Sequence, residues 1–198
     1  MSTVTSPALV LASTSPFRAE LLSRLRLPFE TFAPRVDETP RPGETPADMV
    51  SRLSILKAEA ALGDFPHHLV IGSDQCAVFD GAIIGKPGSH AKATTQLNHF
   101  SGRTVTFLTG LCLLNTATGH QQTCVEPFHV SFRRLSSRQI ENYLRAEQPY
   151  GCAGSFKSEG LGITLFEKLQ GDDPNSLVGL PLIRLTHFLE NEGIVLPG

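Results

Sequence analysis

The residues with the clearest chemical potential stand in the segment STSPFR, at positions 13–18. Ser15 followed by Pro16 is typical of a helix start, because the serine caps unpaired N–H groups and proline at the first helical position loses no hydrogen bond. A helix start presents backbone N–H groups to an anion, Ser13 adds a hydroxyl, and Arg18 adds a guanidinium. The anion that this segment suits best is a phosphate, but such caps are common and most of them bind nothing, so both interpretations stay open here. The segment matches neither the Walker A loop nor GxGxxG.

Two acids and two lysines elsewhere in the chain complement this segment. Asp74 in LVIGSDQ is expected just past the end of an apolar strand, where α/β sheets usually place ligands. Glu38, in a proline-rich loop, is a candidate oxygen ligand for a hard cation such as Mg²⁺. Lys57 on a predicted helix and Lys86 in IIGKPG could neutralise phosphate charge. Each residue alone also fits a turn or a solvated surface, but together they match what metal-assisted hydrolysis of a polyphosphate requires.

The elements that must position these side chains alternate between strands and helices, and this pattern predicts an α/β fold with a mixed sheet. Single strands are expected around Val10 and Leu11, over 28–33 and in HLVIGSD. Two hairpins are also expected: one in CAVFDGAII, with its turn at Asp80-Gly81, and a longer one over 103–114 and 121–134. Helices are expected to start at Ser15, Thr45, Ser89, Ser136 and Pro181, the second ending near Gly63 and the third at Phe100. Residues 151–166 are expected to form a strand, a loop and a strand.

Length, charge and composition argue against several classes of protein. With 198 residues, the chain is expected to form a single domain over 1–198, and its net charge of −2 argues against a surface built to bind nucleic acid. Its apolar runs are too short to span a membrane, and the first ten residues lack the pattern of a secretory signal, so a cytoplasmic location is expected. Four scattered cysteines are expected to be small core residues and not disulfides or zinc ligands: Cys76, Cys112, Cys124 and Cys152.

Several ordered motifs over nearly the whole chain resemble those of the Maf family of nucleoside triphosphate pyrophosphatases. They are LASTSPFRAELL, VDE, LVIGSDQ, GKP, FSGRTVTFLTG, AGSFKSEGLG and NSLVGLPL. The resemblance implies an elongated α/β fold with a central cleft, related to inosine triphosphate pyrophosphatases. It also implies a hydrolase of phosphorus-containing anhydrides that cleaves between the α and β phosphates with a divalent metal, Mg²⁺ or Mn²⁺. A homodimer and a role in discarding modified nucleotides are further implications.

Carried over residue by residue, the resemblance assigns roles to the candidates named above. It implies phosphate contacts for Ser13 and Arg18, metal-associated carboxylates at Glu38 and Asp74, and stabilisation of the leaving phosphates by Lys57 and Lys86. Asp74 would also accept the proton of the attacking water. A free aspartate, with a pKa near ~4, is a weak base, so a metal ion must acidify that water and activity should vanish without metal.

Three further positions indicate the subgroup. Phe17, Gln75 and Glu159 resemble the members that hydrolyse 7-methyl-GTP, whereas dTTP and UTP enzymes have SPRR, DT and glutamine at the matching places. Glu159 could accept hydrogen bonds from a guanine edge, and Phe17, where the subgroup often has tryptophan, could stack on the cationic methylated ring. Without the resemblance, a core phenylalanine and a loop acid are the favoured explanation of Phe17 and Glu159. The alternatives are a dTTP/UTP pyrophosphatase or a nucleotide-binding regulator of cell division without turnover.

Overall fold

A computed structural model describes residues 7–197 of the chain. The first six residues, on which the signal-sequence expectation partly rests, lie outside this range, as does Gly198. The chain divides into two compact units. The first contains the residues up to Gln75, Thr109–Glu126 and the residues from Gly179 onward, and the second contains Cys76–Leu108 and Pro127–Val178. The expectation of one domain over 1–198 stays a prediction.

Seven strands and six α-helices make up the regular structure of the described residues. The strands are β1 Ala8–Ala12, β2 Phe29–Phe32, β3 His68–Phe79, β4 Ala82–Ile84, β5 Thr104–Asn115, β6 Gln121–Phe132 and β7 Phe166–Gln170. The helices are α1 Pro16–Ser23, α2 Pro46–Glu59, α3 His90–Phe100, α4 Ser137–Glu147, α5 Pro174–Val178 and α6 Leu182–Asn191. None of the helices described is both long and apolar enough to cross a bilayer.

The strands form one mixed sheet in the order β2-β1-β3-β5-β6-β7, with β4 pairing beside β3. Strand β1 pairs in parallel with both β2 and β3, whereas β3 with β4 and β6 with β7 are antiparallel. Parallel pairing of β1 follows from the helical crossovers that separate these strands in sequence. The predicted α/β fold with a mixed sheet and flanking helices is confirmed.

Four of the predicted helix starts, at Ser15, Thr45, Ser89 and Ser136, are confirmed by capping hydrogen bonds, and the fifth predicted helix begins directly after Pro181 without a side-chain cap. Ser15 Oγ accepts from Arg18 N at the start of α1, and Thr45 Oγ1 accepts from Asp48 N at the start of α2. The reciprocal capping box of Ser136 and Gln139 is present at α4. Helix α2 ends at Glu59 and not near the predicted Gly63, because the N–H groups that follow turn back to carbonyls three residues earlier and tighten the chain out of the α-helix.

Strand β3 is longer than predicted and includes Asp74, which the sequence placed just past the strand end. The first part of β3 pairs with β1 as far as Ile71, opposite Leu11, and its last residues pair with β4. Pairing on both sides keeps the chain extended between them, so Asp74 lies within a strand. It nevertheless lies beyond the last residue that pairs with β1, and Ser13 directly follows the end of β1.

In the second unit, the predicted hairpin turn is confirmed, but the prediction for residues 151–166 is wrong. Asp80 and Gly81 both have positive φ, 51° and 79°, as a two-residue hairpin turn requires. Residues 151–166 do not form two strands; instead they contain two 3₁₀ turns, Ala153–Ser155 and Leu161–Leu165, before β7 begins at Phe166. Gly154 and Ser155 have φ values of 76° and 61°, and a left-handed backbone cannot continue a strand.

Buried side chains fill a core in each unit. The core of the second unit is rich in aromatic residues, among them Phe100, Phe132, Phe156 and Phe166, whose neighbouring rings are about 5 to 6 Å apart. No disulfide joins the cysteines of the described chain; Cys76 and Cys112 are buried, whereas Cys124 and Cys152 are half-buried. The expectation that the cysteines are core residues is therefore confirmed for Cys76 and Cys112, and it is met only in part by Cys124 and Cys152.

Candidate active site

Lys57 is the centre of a charged cluster in the first unit. Its Nζ lies 2.6 Å from Asp74 Oδ1 and 2.8 Å from Glu38 Oε1. The side chains of Lys57 and Asp74 are only 8% and 12% exposed, whereas that of Glu38 is 60% exposed. Charges shielded from water in this way require close partners, and one ammonium here serves two carboxylates. Three residues predicted from separate motifs are therefore in direct contact.

The close approach of α2 to the sheet positions this cluster. A Cβ added at Gly72 of β3 would lie 2.1 Å from Ser54 O, and one added at Gly110 of β5 would lie 2.2 Å from Val50 O. Only glycine fits at these two positions, so the helix backbone rests directly on the strands. This contact brings Lys57, in the last turn of α2, to Asp74 two residues after Gly72.

Arg18 and Ser13 belong to the same electrostatic environment. Arg18 Nε donates to Gly179 O at 2.8 Å, and its Nη1 donates to Ser13 Oγ at 3.4 Å. Burial lowers the pKa of Arg18 below its usual value, while the negative charges of Asp74 and Glu38 oppose that shift. The guanidinium stays protonated near neutral pH, since arginine does not deprotonate in proteins. The first unit thus assembles all five of its predicted phosphate and metal residues.

Two residues that support Arg18 were missed by the sequence analysis. Gly179 O also accepts a hydrogen bond from Ser73 Oγ, which lies 2.9 Å away and is fully buried. The φ of Gly179 is 121°, and a Cβ there would come within 3.3 Å of Arg18 Nε. The motif NSLVGLPL contains Gly179 and could have pointed to this loop, but only the fold reveals that its carbonyl faces Arg18.

The donor set of the cluster fits a divalent cation. Carboxylate oxygens are the ligands that Mg²⁺ and similar hard cations take, and Lys57 contacts one oxygen of each carboxylate. Within residues 7–197, no group of three or more histidine, cysteine, aspartate or glutamate side chains could hold a metal ion. Two carboxylates such as Glu38 and Asp74 suit an ion that takes its remaining ligands from water and from substrate phosphates, the usual mode of Mg²⁺.

Two of the predicted specificity residues lie beside this cluster in sequence. Phe17 precedes Arg18 on α1 and is half-buried. Gln75 follows Asp74 on β3, is also half-buried, and donates from Nε2 to Thr109 Oγ1 at 2.9 Å. Contact of either side chain with a base stays a prediction.

Lys86 and Glu159 belong to the second unit and are both exposed. Lys86 follows β4 in a loop, and Glu159 lies in the turn between the two 3₁₀ segments. Burial raises the pKa of the Cys152 thiol; Glu159 raises it further, whereas Lys86 lowers it. The fold therefore brings both residues within electrostatic reach of Cys152, although 73 positions separate them in the sequence. Their roles toward a nucleotide stay predictions.

The first unit presents an arginine at a helix start and a lysine that bridges two carboxylates. An α/β protein with these groups is equipped to bind an anionic ligand together with a cation. Residues 8–192 match the family model described as Maf-like protein. Because this match covers nearly the whole chain, the protein belongs to the Maf family.

Three curated relatives extend over almost the full length of the chain, and each is named 7-methyl-GTP pyrophosphatase. The protein from Nitrosococcus oceani is 61% identical over 187 residues, 94% of each chain. That from Pseudoalteromonas translucida is 59% identical over 186 residues, 94% of this chain and 92% of its own. The third, from Pseudomonas syringae pv. tomato, is 57% identical over 191 residues, 96% of this chain and 100% of its own.

Proposed function

We propose that this protein hydrolyses 7-methyl-GTP to 7-methyl-GMP and pyrophosphate. The observation that carries the reaction is the contact of Lys57 with both Glu38 and Asp74, next to Arg18 and Ser13. The substrate is supported by relatives at 57–61% identity that are named for this activity. A pyrophosphatase of this kind belongs to the hydrolases of phosphorus-containing anhydrides.

Each candidate residue of the first unit has its own role in the proposed reaction. Ser13 and Arg18 bind phosphate oxygens, because a hydroxyl and a guanidinium at a helix start complement an anion. Glu38 and Asp74 would hold the divalent cation, which would supply charge neutralisation and acidify a water molecule. Asp74 accepts the proton of the attacking water, and Lys57 stabilises negative charge on the leaving pyrophosphate.

The remaining candidates act on the leaving group and the base. Lys86 adds a second cation for the leaving pyrophosphate. Glu159 accepts hydrogen bonds from the N–H groups of a guanine edge, and Phe17 stacks on the ring that methylation at N7 makes cationic, a contact of ~1–2 kcal/mol when water is excluded. Gln75 is the third residue, with Phe17 and Glu159, to which we assign a role in substrate specificity. By the same family resemblance, we propose a cytoplasmic homodimer that discards modified nucleotides.

A substrate panel tests this function. We expect phosphate release, measured after adding inorganic pyrophosphatase, to be fastest from 7-methyl-GTP among 7-methyl-GTP, GTP, UTP and dTTP with Mg²⁺ or Mn²⁺. Chelation of the divalent cation by EDTA should abolish formation of 7-methyl-GMP, and added Mn²⁺ should restore it, because Asp74 alone is a weak base. This product is followed directly by chromatography, because the coupling enzyme also needs a divalent cation. Faster release from UTP and dTTP would support the alternative pyrophosphatase, and no release from any nucleotide would support the non-catalytic regulator.

A further inference from the structure

We infer that Glu147, at the end of α4, is a positioning residue that holds the turn carrying Glu159 and thereby sets the preference for a methylated guanine base. This inference rests on the proposed function of Glu159. The Glu147 carboxylate contacts the turn on both sides of Glu159. Its Oε1 lies 3.2 Å from Lys157 Nζ, and its Oε2 accepts from Leu161 N at 3.0 Å.

Helix α4 holds the start of the turn by two further hydrogen bonds. Lys157 N donates to Tyr143 OH at 3.1 Å, and Lys157 Nζ donates to the Glu147 carbonyl at 3.2 Å. Tyr143 is buried, and burial raises its pKa above the usual range, so the hydroxyl stays neutral near pH 7 and can accept this bond. The last two turns of the helix therefore hold both the backbone and the side chain of Lys157.

Glycines allow the turn to close on itself at Gly162 and to approach Glu147 at Gly160. A Cβ at Gly160 would lie 2.9 Å from Glu147 Oε2, and one at Gly162 would lie 2.2 Å from Lys157 O. The side chain of Glu147 is 19% exposed and that of Lys157 is 29% exposed, so their ion pair is partly shielded from water. A shielded, charge-assisted contact is stronger than one fully in solvent.

The direction of the Glu159 carboxylate depends on this support. Glu159 is exposed, and its carboxylate accepts a hydrogen bond of 3.2 Å from the hydroxyl of its neighbour Ser158. Its orientation toward a base therefore follows from the backbone of residues 157–161, which Glu147 holds directly at Leu161 and, through the side chain of Lys157, at its other end. Loss of Glu147 leaves the Glu159 carboxylate present but free to point in several directions.

The experiment compares Glu147→Ala with Glu141→Ala in the full-length protein. Glu141 lies on the same helix, but its carboxylate contacts His90 and Arg145. We expect Glu147→Ala to lower the ratio of kcat/KM for 7-methyl-GTP over UTP about tenfold, a loss of ~1.4 kcal/mol in discrimination. Glu141→Ala should keep that ratio. Hydrogen exchange at the Leu161 amide should accelerate in Glu147→Ala only.

A second pair of variants separates this inference from the function on which it rests. Glu147→Gln keeps an acceptor for Leu161 N but loses the charge facing Lys157, so we expect an intermediate ratio even if the alanine variant folds poorly. Glu159→Gln tests the specificity role itself, and an unchanged ratio there refutes the proposed role of Glu159. If Glu159→Gln lowers the ratio while Glu147→Gln and a folded Glu147→Ala keep it, the inference about Glu147 is overturned.

Discussion

At the scale of single residues, the proposed chemistry depends on Asp74 and on the ammonium beside it. Lys57 Nζ contacts both Asp74 and Glu38, so it still has one carboxylate partner when the other is neutralised. Substitution of Asp74 by the isosteric asparagine therefore removes a proton acceptor without leaving a buried lysine alone. A loss of activity in that variant reports on chemistry and not on unfolding.

We expect Asp74→Asn to lower kcat for 7-methyl-GTP at least about 100-fold, the lower end of what a general base contributes. The measurement is steady-state phosphate release in the coupled assay, with thermal unfolding to verify the fold. Asp48→Asn is the matched control, because Asp48 is an exposed aspartate of α2, the helix that carries Lys57. Near-normal turnover by Asp74→Asn would refute its role as the base.

At the scale of elements, the loop before α6 fixes the direction of Arg18. Gly179 O accepts from both Arg18 Nε and Ser73 Oγ, so one carbonyl connects this loop to α1 and β3. The positive φ of Gly179 aims that carbonyl, and a side chain at this position would crowd the guanidinium. The loop positions a residue of the proposed phosphate site although it supplies no charge.

We expect Gly179→Ala to raise the KM for 7-methyl-GTP about tenfold through displacement of Arg18, since a charge-assisted hydrogen bond is worth ~1.5–3 kcal/mol. Gly193→Ala is the control for backbone strain. Gly193 also has positive φ, 84°, but a Cβ there meets nothing within 4 Å. Kinetics of both variants, alongside their melting temperatures, distinguish the two effects. An equal rise in KM for both would contradict the specific role of Gly179.

At the scale of the whole molecule, carboxylates with lowered pKa make folding depend on pH. Hydrogen bonds from Arg52 lower the pKa of Glu44 from 4.5 to about 2, and the backbone N–H of Arg41 adds to the shift. Contacts also lower the pKa of Asp37, Glu141, Glu147 and Glu192. A lowered pKa stabilises the fold above the ordinary value, and that contribution is lost as pH falls through the folded-state value.

For Glu44, the loss is therefore expected between about pH 4.5 and pH 2. We expect Glu44→Gln to be less stable than the wild type near pH 7, with the difference shrinking as the pH falls through this window. Urea unfolding at a series of pH values measures it. Glu20→Gln, which removes an exposed carboxylate 3.8 Å from Arg24, should differ little from the wild type throughout. A difference for Glu44→Gln that does not vary with pH would contradict this origin.

Sequence reasoning succeeded where the signal is local. The caps at Ser15, Thr45 and Ser136 were predictable because a side chain bonds a backbone group only a few positions away. It failed for residues 151–166, where apolar and small residues suggested strands. The left-handed backbone at Ser155 was not visible in the sequence, because a serine rarely adopts it without support from the surrounding fold.

The sequence by itself determined which chemical groups the protein possesses and the mixed α/β architecture, because residue types and their periodicity are properties of short segments. Only the tertiary structure decided that Lys57 contacts Asp74, that Gly179 aims Arg18, and that Glu147 holds the turn of Glu159. These contacts join residues from 14 to 161 positions apart, and the packing of backbone against backbone, as at Gly72, decides whether elements meet. A pattern of neighbouring residues does not specify which residues far apart in the chain come into contact.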